Sequence, residues 1–261
     1  MMRSKTTKQR LDVALVERGL AESRQKAQAV ILAGDVRIEG QRADKAGVLV
    51  ASDAIITVAG NNLRYASRGG LKLAGALEEF AVDPGGKICL DAGCSTGGFT
   101  DCLLQNGATR VYALDVTTNQ LAWRLQRDPR VVPIEVNVRY LEPGALAEPP
   151  SLVTADLSFI SVAKVLPRLV EAAASRADFL ILVKPQFELD RGDIGKGGIV
   201  RDPALHERAI ARVREAATAA GLSVVGVRPS QITGAEGNQE FFVRALLEAT
   251  LNSPSGAKSL R

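Results

Sequence analysis

The stretch LDAGCSTGGFTD, residues 90–101, passes from an apolar strand pattern (ICLDA, 88–92) through a glycine-rich turn into a helical pattern (GGFTDCLLQNG, 97–107). Glycines at a strand-to-helix turn let the backbone approach a ligand closely, and the helix start offers N–H groups without an intrahelical partner. The next apolar segment, VYALDV (111–116), carries Asp115 at its end, 24 residues after Asp91. A carboxylate there is placed to accept hydrogen bonds from both hydroxyls of a ribose. The dinucleotide fingerprint needs G-x-G-x-x-G, whereas the spacing here is Gly93-x-x-x-Gly97-Gly98, with Cys94, Ser95 and Thr96 between. That departure favours a nucleoside cofactor lacking a pyrophosphate, such as S-adenosylmethionine (AdoMet), over NAD.

Outward from this turn, apolar strand patterns alternate with amphipathic helical ones from residue 72 on. A lead helix, LKLAGALEEF, precedes the turn. After VYALDV come helix NQLAWRLQ, strands VVPIEV and LVTADL (152–157), helix VAKVLPRLVEAAAS, strand FLILVK (179–184), a glycine-rich loop and helix PALHERAIARVREAATAAG. Two strand patterns, LSVVGVRPS and EFFVRALLE, close the chain. The alternation predicts an α/β fold with a doubly wound, Rossmann-like sheet, and the final pair predicts seven strands with one antiparallel strand near an edge. Ligands of such sheets bind beyond the carboxyl ends of the strands, where Asp91, Asp115, Asp156 and Lys184 all fall. Lys184 closes a run as apolar as FLILV, so it is expected to be partly desolvated. Desolvation disfavours the charged amine and suits it to take a proton from a substrate hydroxyl beside Asp156. No Asn-Pro-Pro-aromatic motif, the mark of enzymes that methylate exocyclic amines, is present; DLSF and KPQF stand in the equivalent places and point to a hydroxyl acceptor.

Residues 1–72 hold 13 Lys and Arg against 7 Asp and Glu, and residues 73–261 hold 20 against 22, so the net charge of +4 originates in the first quarter of the chain. A small basic module ahead of a nearly neutral body points to a polyanionic partner. LDVALVERGL predicts a helix stopped by Gly19. SRQKAQAVILAG predicts a second, with Ser23 as N-cap and Gly34 as its stop. DVRIEGQRAD and DAIITV predict short strands around a turn at Glu39-Gly40, with Arg10, Arg24, Lys26 and Arg37 facing solvent. This places a small α+β domain at 1–58, a linker at 59–70 (AGNNLRYASRGG), the larger domain at 71–250 and a flexible tail at 251–261. No run approaches the ~18 apolar residues of a membrane-spanning helix, and the basic start MMRSKTTKQR leads into no secretory signal. Three cysteines (Cys89, Cys94, Cys102) and one histidine (His206) argue against a disulfide framework and against a histidine-built zinc site. The expected compartment is the cytoplasm.

With SRGGLKL, LDAGCSTGGFTD, LDV, ADLSFIS, LVKPQFE and GNQEFF in this order behind a small basic module, the chain resembles the TlyA family over nearly its whole length. The resemblance implies an FtsJ-like, AdoMet-dependent ribosomal RNA 2′-O-methyltransferase, also known under the hemolysin A name. Its front domain is similar to the RNA-binding domain shared by a small-subunit ribosomal protein and many pseudouridine synthases. By the resemblance, Lys72, Asp156, Lys184 and Glu240 form a catalytic tetrad: Lys184 deprotonates or polarises the ribose 2′-hydroxyl and the other three position it. The segment Gly93, Cys94, Ser95, Gly97, Gly98 and Phe99 would cradle methionine, Asp115 the ribose, and Asn137-Val138 the adenine edge, with Asp91, Val116 and Asp156 also at the cofactor. Arg10, Arg24, Lys26, Lys45 and Arg68 would grip RNA, and no metal is called for. Related FtsJ enzymes carry a proline where Thr96 stands. The implied partner is ribosomal RNA or a ribosomal subunit, and cytidine as the target comes from the family alone. With only 4% aromatic residues for stacking, the choice of site is expected to depend on RNA shape. Two other readings stay open: a non-catalytic RNA-binding ribosome-assembly factor, and a hemolysin-type membrane-active protein, to which the sequence offers neither a long apolar helix nor a lipid-facing strand set.

Overall fold

In the first module, short elements are closed by local hydrogen bonds. Residues 8–21, 23–58, 64–195, 197–234 and 237–249 are described by the structure, a computed structural model; the tail and residues 59–63 of the expected linker lie outside them. The module runs β1 (Lys8–Arg10), α1 (Leu11–Glu17), α2 (Arg24–Ala33), β2 (Val36–Ile38), β3 (Gln41–Ala43), β4 (Leu49–Ala51) and β5 (Ile56–Val58). The Ser23 side chain accepts from the Lys26 N–H and Gly34 ends α2 with φ 77°, as the capping pattern predicts. Glu39 and Gly40 both take positive φ, which suits the tight hairpin joining β2 to β3. β2 pairs with β3 and β5, while β1 pairs with β4. The last pair had no signal in the sequence, because KQR and LVA show no apolar–polar alternation. Leu11, Leu15, Ala27, Ile31, Val36 and Val50 fill the module's core.

The larger domain continues through α3 (Gly69–Glu79), β6 (Ile88–Ala92), α4 (Gly98–Gln105), β7 (Arg110–Asp115), α5 (Trp123–Gln126), β8 (Val131–Glu135), β9 (Leu152–Ala155), α6 (Leu166–Ala172), β10 (Ala177–Val183), α7 (Pro185–Glu188), α8 (Pro203–Ala219), β11 (Ser223–Pro229) and β12 (Phe241–Leu247). Its seven strands lie in the order β11-β12-β10-β9-β6-β7-β8. β12, second from the edge, runs antiparallel to both neighbours, and the remaining pairs are parallel. Side chains one residue apart go to opposite faces of a strand, and the core divides accordingly. Phe179, Ile181 and Val183 of β10 pack with α6 and α8, whereas Leu180 and Leu182 pack with α3, α4 and α5. Burial on both faces accounts for the near-continuous apolar runs of these strands. Tyr65 and Ala66, from the stretch read as linker, are buried in this second cluster.

Two helices are shorter than their patterns suggest. Before α5, residues 118–122 form a turn in which the Ala122 N–H goes to the Thr96 carbonyl at 3.1 Å rather than into a helix. The segment after Ser161 makes a 3₁₀ turn (Val162–Lys164) and restarts as α6 with a proline in its first turn, where the missing N–H costs no helical hydrogen bond. Among the described residues no helix is long and apolar enough to cross a membrane.

Candidate active site

The carboxyl ends of β6, β7, β9 and β10 open into one crevice. At the glycine turn Gly93, Ser95 and Gly97 take φ of 88°, 47° and 91°, and the N–H groups of Gly93 and Cys94 both reach the Leu114 carbonyl, at 2.8 and 3.1 Å. A Cβ on Gly93 would stand 2.3 Å from the Asp156 carbonyl oxygen, so only glycine allows β6 and β9 to meet here. A Cβ on Gly98 would stand 2.3 Å from Ser67 Oγ, which is why the SRGG segment can start α3 against α4 and bring Lys72 to the crevice. Asp115 accepts the Ser95 N–H at 2.9 Å and the Val116 N–H at 2.7 Å, one on each oxygen, and each oxygen retains a lone pair for a ligand hydroxyl.

Gly93, Cys94, Ser95, Gly98 and Phe99 line a cavity of about 380 Å³ together with Arg68, Lys72, Asp156, Ser158 and Lys184. An adjoining cavity of about 510 Å³ shares Gly93, Ser95, Asp156 and Ser158 and extends along Asp115, Val116, Asn137 and Val138. Carboxylates at Asp115 and Asp156, a backbone floor at Gly93 and apolar flanks at Val116, Leu157 and Val138 form a donor set that suits a cationic nucleoside such as AdoMet. Val16, Gly19 and Ala21 of the first module line the smaller cavity from the far side, a contribution with no trace in the sequence pattern.

Asp91 and Gly97 reach neither cavity. A Cβ on Gly97 would stand 2.2 Å from Leu125, so this glycine serves packing. Asp91 is fully buried behind the turn and accepts a hydrogen bond from Thr100 Oγ1 at 2.6 Å. Burial pushes its carboxyl up to about 7 against the opposing pull of Thr100. A carboxyl raised in the folded state stabilises most below its unfolded value, and that contribution is lost as pH rises through about 7. Asp91→Asn keeps an acceptor for Thr100 without the charge. Its stability relative to the parent is therefore expected to improve by on the order of 2 kcal/mol between pH 5 and pH 8, as read by thermal unfolding at the two pH values.

The four expected catalytic side chains form two ion pairs. Lys184 Nζ lies 2.5 Å from Asp156 Oδ1 and 2.9 Å from Ser158 Oγ. Lys72 Nζ lies 2.6 Å from Glu240 Oε2. Lys72, Asp156 and Lys184 line the smaller cavity; Glu240 is buried behind Lys72 and does not. Lys184 is buried as its apolar strand predicts, and its carboxylate partner offsets the desolvation. Two residues escaped the sequence reading. Ser158 holds Lys184. Phe159, 91% exposed with φ 65°, lines the larger cavity and rests against Phe187 at 5.4 Å between ring centroids. Their only signal was their place after Asp156 in DLSF. The thiols of Cys89, Cys94 and Cys102 are all buried, and burial pushes each of them up, away from the thiolate form a nucleophile needs.

In the first module Arg10, Arg24, Lys26 and Lys45 are exposed. Arg10 Nε and Arg24 Nη2 converge on fully buried Asp12, at 2.9 and 3.0 Å, and Gln28 joins them at 2.9 Å. Arg68 stands at the crevice, with Nη2 3.5 Å from the Thr233 carbonyl. The hydrogen bond from Arg10 holds the Asp12 carboxyl well below the usual carboxylate range. Its stabilisation is present above the unfolded value of about 4 and is lost as pH falls below it. Asp12→Ala is expected to destabilise the chain by roughly 1–3 kcal/mol, discounted for two half-exposed arginines, with the deficit shrinking below about pH 4 in thermal unfolding scans.

A sheet in this strand order, with its polar crevice at the glycine turn, is the architecture of the AdoMet-dependent methyltransferases, and this chain is an enzyme of that class. The FtsJ-like methyltransferase family profile matches residues 65–246 and the S4 domain profile residues 9–56. The chain is 50% identical over 236 residues to the 16S/23S rRNA (cytidine-2′-O)-methyltransferase TlyA of Mycobacterium tuberculosis, covering 90% of this chain and 88% of the relative. It is 42% identical over 241 residues to Hemolysin A of Brachyspira hyodysenteriae, covering 91% and 100%. A solved Streptococcus thermophilus structure that carries a hemolysin name superposes with a TM-score of 0.71 at 42% identity, covering 93% of this chain and 90% of that one. The chain belongs to the TlyA family of FtsJ-like rRNA methyltransferases, with an S4 domain at its front.

Proposed function

We propose that the chain methylates the ribose 2′-hydroxyl of a cytidine in ribosomal RNA, acting in the cytoplasm on rRNA or on a ribosomal subunit. The observation that carries this reading is the Lys184–Asp156 pair, 2.5 Å apart in the crevice beside Gly93. Bound AdoMet supplies a methyl group on a positively charged sulfonium, an electrophile that needs only an oxygen nucleophile delivered in line. Lys184 Nζ meets the 2′-hydroxyl and, as the free amine, takes its proton; Asp156 balances the charge this leaves on the amine, and the sulfur that loses the methyl group would depart as the neutral thioether S-adenosylhomocysteine. Ser158 fixes the lysine's third direction. The Lys72–Glu240 pair places a second ammonium beside the acceptor without adding net charge. Asp115 would hold the cofactor ribose, Gly93 to Thr96 with Gly98 and Phe99 its methionine end, and Asn137 with Val138 its adenine edge. The first module grips phosphates through arginines whose direction is set by Asp12; such contacts orient RNA and carry little sequence information.

The test is transfer of labelled methyl groups to total rRNA and to separated ribosomal subunits, followed by mass spectrometry of the nucleosides. 2′-O-methylcytidine is the expected product. A product methylated on the base overturns the reading, and so does the absence of product on every substrate.

A further inference from the structure

Glu188 lines neither cavity, yet it is one of the most deeply buried charged groups of the chain, 2% exposed. It closes α7, the single turn that begins next to Lys184. One carboxylate oxygen accepts from Ser161 Oγ at 2.5 Å and the other from the Val162 N–H at 2.8 Å. Burial pushes this carboxyl up, while the two hydrogen bonds and the charges of Arg212 and Lys164 work against the shift. Ser161 and Val162 end the loop that Asp156 begins. One turn of chain, Lys184 to Glu188, therefore holds that loop at three points: Lys184 on Asp156 and Ser158, Phe187 on Phe159, and Glu188 on Ser161 and Val162. An apolar side chain would fill the place of Glu188 with less desolvation cost, so what the carboxylate adds is direction.

We propose that Glu188 is a positioning residue for methyl transfer: by fixing Ser161 and Val162 it sets where the Asp156–Phe159 segment stands over Lys184. The proposal rests on the methyl-transfer reading above. Glu188→Gln keeps one good acceptor of the two, Ser161→Ala removes one donor, and Glu188→Ala removes both bonds.

All three changes are made in the full chain and compared by kcat and KM for rRNA, AdoMet affinity, and hydrogen exchange of residues 156–162. Glu188→Ala is expected to lower kcat about 10- to 100-fold with AdoMet affinity changed less than about 2-fold, and to speed exchange in the loop. Glu188→Gln and Ser161→Ala are expected to fall between it and the parent. If Glu188→Ala does not fold, the two milder variants carry the comparison. Loop exchange as slow as in the parent, or a lower melting temperature with kcat intact, overturns the proposal. A parent chain that methylates no rRNA overturns the reading beneath it and the proposal with it. The two failures are told apart because exchange is read without turnover.

Discussion

Lys184→Ala is expected to lower kcat for methyl transfer by on the order of 10²–10⁴-fold while leaving AdoMet affinity within about 3-fold of the parent. The two effects separate because different atoms carry them. The cleft proposed for the methionine end is lined by Gly93 to Thr96, Gly98 and Phe99, and the adjoining cavity by Asp115, Val116, Asn137 and Val138, whereas the ion pair and hydrogen bond of Lys184 go to Asp156 and Ser158. The lysine side chain meets Asp156 and Ser158 at the point where both cavities share residues. Its loss leaves Asp156 without a counter-ion: the side chain as a whole is 20% exposed, but Oδ1, the oxygen that faces the lysine, is buried. Lys184→Arg is expected to restore little, since a guanidinium holds its proton and presents a planar fork in place of a compact amine. Full turnover by Lys184→Ala would remove the lysine from the chemistry.

Gly93→Ala is expected to cost about 2–5 kcal/mol of stability and to weaken AdoMet binding by on the order of 10-fold or more. Two effects add at this residue. The backbone φ of 88° is unfavourable for any residue with a Cβ, and that Cβ would stand 2.3 Å from the Asp156 carbonyl. Gly144→Ala separates them: its φ is 78°, yet nothing lies within 4 Å of the added atom. The control is expected to cost only the conformational part, about 1–2 kcal/mol. Equal losses in the two variants, measured by thermal unfolding and by AdoMet titration, would mean that close approach of β6 and β9 is unimportant.

The larger domain was legible because its strands are buried on both faces and read as unbroken apolar runs, and because Gly93, Asp115, Asp156 and Lys184 sit at strand ends where polar residues have few structural reasons to be. What was not legible depends on partners distant in sequence. Helix periodicity over 119–126 persists although the Ala122 N–H is taken by Thr96. Asp91 and Gly97 carry the same turn signal as Gly93, but only a three-dimensional view shows that one is sealed behind Thr100 and the other pressed on Leu125. Ser158 and Phe159 belong to a loop and Glu188 to a single four-residue helical turn, and neither leaves a period. The pairing of Arg10 and Arg24 through Asp12 is likewise hidden, because a buried aspartate in LDVALVE looks like any helix-start acid.

The most direct test of the 2′-oxygen as acceptor is alkaline hydrolysis of rRNA labelled by the wild-type chain from methyl-labelled AdoMet. Alkaline cleavage needs a free 2′-hydroxyl as its nucleophile, so a methylated ribose protects the bond that follows it. If Lys184 and Asp156 activate the 2′-oxygen, label is recovered in alkali-resistant dinucleotides, and none with Lys184→Ala. Label recovered wholly in mononucleotides would place the methyl group on a base and contradict it.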